Sequence, residues 1–210
     1  MIAPICQRTQ GVAIQPGTAD IKPSLTRIEM MTRPSRWPFS PRKSRPPVRG
    51  ATIEAIYGMI VAQARLPQFY LRFGVPDTVN GRFDMVVLHL WMILARLQAQ
   101  GAAAEAQQLF DRFCDDMDAN LREMGVGDLT VPKRMKKFGE AFYGRSGAYD
   151  AAIIAGEHEL RAALARNVLA SHDAAAAAPL ADYVSRTVAG LATIDSPALL
   201  SGAWRFPSPE

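Results

Sequence analysis

The residues whose chemistry could drive a reaction are few in this 210-residue chain. Its three histidines, His89, His158 and His172, have no serine or cysteine beside them in a recognisable triad setting, and there is no GxSxG elbow. A helical di-iron site would take Glu-x-x-His on inward faces, and none occurs. His158-Glu159 is not followed by the second histidine of a zinc HExxH helix. Gly125-Val126-Gly127 continues to Asp128-Leu129-Thr130, so the third glycine of a dinucleotide loop is missing and no strand precedes it. That glycine pair is expected to join two helices. Asp115, Asp116 and Asp118 are too close in sequence to converge from one helix, which makes them a solvated acidic face. Cys114 reads as a small apolar residue. His89, inside an apolar stretch, is either a hydrogen-bonded core histidine or a haem or metal ligand without a partner. No enzyme and no cofactor are expected.

Binding chemistry is better represented. Between Asn120 and Arg145 an acidic helix gives way, through a short loop, to Lys133, Arg134, Lys136 and Lys137, with Met135, Phe138 and Phe142 on one apolar stripe. Gly125 sits where a left-handed helix stop belongs, Thr130 is placed to cap the next helix, and Pro132 suits its first turn. An acidic helix before the loop and a basic one after it predict a docking surface.

Those residues need helices to hold them. Ile53, Ile56, Tyr57, Ile60, Val61 and Ala64 keep the spacing of a helix with one buried face, which Pro67 interrupts. Gln68 to Phe73 forms a short turn closed by Gly74. A long helix from about 80 to 100 is apolar almost all round, which marks it as central. A third, about 103–124, turns Leu109, Phe110, Phe113, Met117, Leu121 and Met124 inward. Further helices are predicted at 131–143, about 146–156 and 157–170, another opens near Pro179, and Ser196-Pro197 starts a short last one that Trp204 and Phe206 pin. No strand alternation is visible. The fold class is all-α: a single bundle of six to eight mostly antiparallel helices over 51–206.

The charge is uneven. Residues 1–50 carry nine Lys and Arg against Asp20 and Glu29, a balance of +7, while 51–210 carry 15 against 18, a balance of −3. That head also holds eight of the 15 prolines and no apolar period, so disorder is expected. The basic run 33–49, with Trp37 and Phe39, suits an arm for anionic lipid or RNA, a targeting peptide, or a plain solvated tail. Met30-Met31 raises a translation start at Met31. Cys6 and Cys114 form no CxxC pair, which suits a reducing compartment. No apolar run reaches the ~18 residues of a spanning helix.

Several blocks together resemble the ubiquinol–cytochrome c chaperone family: Phe69-Tyr70 with FGVPDTVNGRFDMVVLHL (Phe73–Leu90), DMDANLREMGVGD (Asp116–Asp128), and KRMKKFGEAFYGR (Lys133–Arg145) with Tyr149-Asp150. The resemblance covers about 51–170 well, the C-terminal helices weakly and the head not at all. It implies a non-enzymatic factor that binds newly made cytochrome b and promotes assembly of the respiratory cytochrome bc complex. It also implies work near the ribosome, with a small partner protein. A head without a clear transit peptide implies a bacterial protein of the cytoplasm, peripheral to the inner membrane; a eukaryotic one would act on the matrix side. The family's shared blocks fall here on Phe83, Asp84, His89, Asn120, Met124, Gly125, Asp128, Lys133, Lys136, Phe142, Tyr143 and Arg145. With Arg134 and Lys137 of the basic cluster, all of these except Phe83 and Gly125 form the expected protein-binding set. A second function class, an RNA- or ribosome-binding helical protein, rests on the basic head and the Lys133–Lys137 cluster. Nine methionines would suit a groove that repacks against an apolar client, although Met85, Met92 and Met117 lie on helical stripes and fit a core.

Overall fold

Thr78 begins the element that organises the molecule. Its extended backbone and its Oγ1, which accepts from the Gly81 N–H at 3.1 Å, cap a helix from Val79 to Ala99. The computed structural model describes residues 50–210, and every element in that range is helical or a turn. The expectations for the head, Cys6 and a start at Met31 fall outside the described residues.

Among the described residues eight α-helices follow in order: α1 Gly50–Ala64, α2 Pro67–Leu71, α3 Val79–Ala99, α4 Ala103–Glu123, α5 Val131–Ala155, α6 Glu157–Asn167, α7 Ala178–Ala192 and α8 Ser196–Ser201. The all-α expectation holds. α3 is the axis, buried without a break from Asp84 to Leu94 and touching α1, α4, α5 and α7. α6 lies on α5 and α7, and α8 lies on α1. At the start of α3, a Cβ on Gly81 would stand 2.0 Å from the Pro76 carbonyl oxygen, so only glycine lets the 76–78 loop fold this tightly.

Three local expectations are revised. The sequence suggests a break near Gly144, yet α5 runs unbroken for 25 residues. Its inner face stays apolar through Met135, Phe142, Tyr149 and Ala152, and that burial outweighs the ~1 kcal/mol each interior glycine costs. Thr130 has helical angles and makes no side-chain cap. The last helix is capped one residue earlier than expected, by Asp195, whose Oδ1 accepts from the Ala198 N–H at 2.8 Å.

Two apolar clusters result. The large one gathers α1–α7 with Leu199 and Trp204; the small one holds Leu121, Val131 and Met135 under Val126, with Cys114 and Met117 against both. After α8 the chain packs back onto the core: Trp204 donates to the Leu199 carbonyl at 2.7 Å, Phe206 lies 5.1 Å from the His89 ring, and Gln63 reaches the Pro207 carbonyl.

Candidate docking site

The α4–α5 connection is fixed by its own backbone. Gly125 has φ +78°, its N–H donates to the Arg122 carbonyl at 2.9 Å, and the Val126 N–H reaches the Leu121 carbonyl at 3.0 Å. This is a Schellman stop, with Val126 packed on Leu121 as that motif favours. Arg122 ties Asp118 at 2.6 Å and also meets Asp128, which holds the loop against the end of α4. The Asn120 amide donates to the Asp116 carbonyl one turn back.

Beyond this loop Lys133, Arg134, Lys136 and Lys137 are all exposed. Lys136 has Glu140 at 3.7 Å, and among the described residues the other three make no ion pair. The first turn of α5 contains no acid and no side-chain cap, so Lys133 and Arg134 sit at the positive end of the helix dipole, with Lys136 and Lys137 one turn on. The two first-turn placements each cost a few tenths to about 1 kcal/mol for the isolated helix. An anionic partner would relieve it. Beside the cations, Leu129 is 98% and Met124 65% exposed. Leu129 was not among the expected binding residues, because one apolar side chain in a loop belongs to no periodic pattern. Tyr143 is 38% exposed and covers Phe110 and Phe142.

Of the rest of the expected set, Asn120 and Asp128 are exposed and Arg145 is half-buried, whereas Phe142, Asp84 and His89 are buried and present no contact surface. Phe142 is 3% exposed, its ring centroid 4.9 Å from Phe110 and 6.0 Å from Phe113. Asp84 is buried and meets Arg145 at 2.7 Å, linking α3 to α5. Burial pushes its carboxyl up to about 6, although the Arg145 guanidinium pulls the other way. His89 has no exposed surface; its Nδ1–H donates to the Met85 carbonyl at 2.8 Å, and its Nε2 accepts from the Tyr183 hydroxyl at 2.8 Å. Both ring nitrogens are engaged, so the core reading of His89 holds and no lone pair is left for a metal. Burial lowers its pKa to about 4.

The acidic face of α4 is also structural. Tyr57 donates to Asp116 at 2.9 Å, and Arg112 lies 4.7 Å over the Tyr57 ring while it pairs with Glu54, stitching α1 to α4. Cys114 is a half-buried free thiol pushed up to about 12, first by burial and then by Asp111 and Asp115.

With this geometry in place, likeness to known proteins is informative. The sequence model of the ubiquinol-cytochrome C chaperone family matches residues 71–206. The chain belongs to this family. Ubiquinol-cytochrome-c reductase complex assembly factor 1 of Xenopus laevis is 30% identical over 149 residues, which cover 69% of this chain and 74% of the frog protein. Its Mus musculus counterpart is 31% identical over 113 residues, 53% of this chain and 38% of the mouse protein. The crystal structure of the Cbp3 homolog from Brucella abortus superposes with a TM-score of 0.69 at 40% identity, covering 76% of this chain and 90% of that one. The chaperone family match takes in both the α4–α5 loop and the cation cluster after it.

Proposed function

We propose that this protein is a non-catalytic assembly factor for ubiquinol–cytochrome c reductase, binding unassembled cytochrome b and releasing it into the complex. The observation that carries the docking part is the start of α5: four exposed cations, the first two set against the helix dipole, beside an exposed Leu129 and Met124 on a loop held by a Schellman stop. Local rules are broken in this way where a partner repays the cost. The surface suits a segment with acidic side chains followed by an apolar stretch, as the flank of a membrane helix offers. Family membership supports the client complex. Among the described residues no helix is long and apolar enough to cross a membrane. The proposed client is a membrane protein, and the reading therefore has the factor work beside the inner membrane.

Lys133→Glu/Lys136→Glu/Lys137→Glu tests the surface. All three side chains are exposed, so unfolding stability should shift by no more than ~0.5 kcal/mol per site while recovery of cytochrome b in pull-downs from native membranes falls at least tenfold. Undiminished recovery would move the contact elsewhere. Loss of the gene should lower cytochrome b and quinol–cytochrome c reductase activity together, and unchanged levels of both would sink the assembly reading. The same pull-downs report whether a ribosome or a small partner protein travels with the complex.

A further inference from the structure

A factor for an apolar client needs an apolar face, and the described surface does not show one. Its exposed large apolar side chains, Leu71, Val79, Met124, Leu129, Tyr143 and Ile154, are spread over α2, α3, the α4–α5 loop and α5. A depression of about 250 Å³ between α5, α6 and α7 includes Glu157 and Asp182 and is too polar for an apolar helix.

The first half of α5 covers a surface that would serve. Phe138 stacks on Phe83 of α3 at 5.0 Å, and Phe142 packs on Phe110 and Phe113 of α4. Val131 and Met135 close over Leu121, with Met117 and Cys114 beneath. Three features make this half separable. Val131 and Met135 belong to the small cluster, with Phe138 against it, and Phe142 at the hinge end is the side chain that reaches the main core. Gly144 and Gly147 lie in the middle of α5 with open space where a Cβ would stand and no positive φ, so neither packing nor turn geometry requires a glycine there. The same level of the α3–α5 seam is polar and poorly partnered. The buried Arg145 Nε, Ser146 Oγ and Tyr149 hydroxyl have no hydrogen-bond partner, beside the Asp84–Arg145 pair. Unpartnered buried groups gain hydration when a seam opens, which lowers the cost of opening. At its far end the arm starts uncapped with four like charges.

We infer that residues 131–143 swing as an arm about Gly144–Gly147, uncovering an apolar groove on α3 and α4 that takes an apolar helix of the client in place of the arm. The groove is lined by Phe83, Phe110, Phe113, Cys114, Met117 and Leu121. Its occupant follows from what fills it now, the apolar face of a helix, and the displaced arm carries its cations with it to meet the client's acidic flank. The inference rests on the proposed client only for the identity of that helix.

Hydrogen exchange on the full chain tests the arm. Amides at 133–143 should exchange at least tenfold faster than those at 86–94, and Gly144→Ala/Gly147→Ala should slow them at least fivefold without slowing 86–94. Equal protection of the two segments would overturn the arm, whatever the protein binds. Two probes then test the groove: detergent-solubilised cytochrome b, and a Leu-Ala helical peptide with acidic ends. The alanine pair should weaken capture of both at least fivefold; slowed exchange with unchanged capture of both would overturn the groove. Capture of the peptide but not of cytochrome b by the wild-type chain would keep the groove and overturn the proposed client.

Discussion

At the scale of single residues the molecule separates buried polar groups that hold it together from exposed ones that face outward. His89 donates through Nδ1–H to Met85, meets Tyr183 at Nε2 and is surrounded by Phe69 and Phe206, so burial disfavours its charged form. Its ring resonances should stay those of neutral imidazole until near pH 4, as NMR titration will show; protonation near 6.5 would mean an open core. The neutral His89 contributes stability that is fully present above pH 6.5 and is lost as pH falls toward 4, a span on the order of 3 kcal/mol. Asp84 acts in the opposite sense. Its folded pKa is raised to about 6, so ionising it costs stability as pH rises from about 4 to 6. The two slopes oppose each other in the wild type. Asp84→Asn removes one of them, and its unfolding free energy should fall more steeply than the wild type's between pH 6 and 4. Denaturant melts across that range provide the comparison, and parallel slopes would contradict it. Phe142→Ala, at the junction of three aromatic rings, should destabilise by about 3–5 kcal/mol, measured in the same melts.

At the scale of elements, two glycines bear on stability for different reasons. Gly125 carries a left-handed stop in open space, so Gly125→Ala should cost about 1 kcal/mol from backbone strain alone and leave the fold intact. Gly81 faces backbone at 2.0 Å, and Gly81→Ala must shift the Pro76 loop or the start of α3. It should destabilise by clearly more than Gly125→Ala in thermal unfolding; a smaller effect would show the loop free to yield. α4 and α5 differ in how they are held. α4 is stitched to α1 by Tyr57, Asp116, Arg112 and Glu54, whereas the first half of α5 relies on aromatic stacking and one small cluster.

At the scale of the whole molecule, the C-terminal residues close the core rather than trail from it. Trp204 is buried and bonded to Leu199, and Phe206 lies on His89, 117 positions earlier in the chain. Truncation after Gly202 should therefore lower the melting temperature by several degrees and raise the midpoint of the His89 titration, because one wall of its pocket is removed. An unchanged melt would show that the segment only covers the surface. Much of the bundle was legible beforehand: apolar periodicity placed α1, α3, α4 and α7, and the stop at Gly125 followed from glycine's freedom at positive φ. The continuity of α5 was not legible, because Gly144 and Gly147 argue locally for a break that packing overrides. The split of the expected binding set into exposed Lys133–Lys137 and interior Asp84, His89 and Phe142 was also hidden. Family resemblance marks shared residues without separating those that face solvent from those that support the fold.

The amino-acid order by itself determined the helical class, the central place of α3, the loop after α4 and the four cations that follow it. Those features depend on neighbours within a few residues, where spacing, capping and charge act directly. Tertiary structure alone decided which groups are free to meet a partner. Both nitrogens of His89 are satisfied by a carbonyl four residues away and a hydroxyl 94 residues away, and Asp84 meets its guanidinium across 61 positions. No local pattern encodes such distances, because burial and pairing emerge only when distant helices exclude water together.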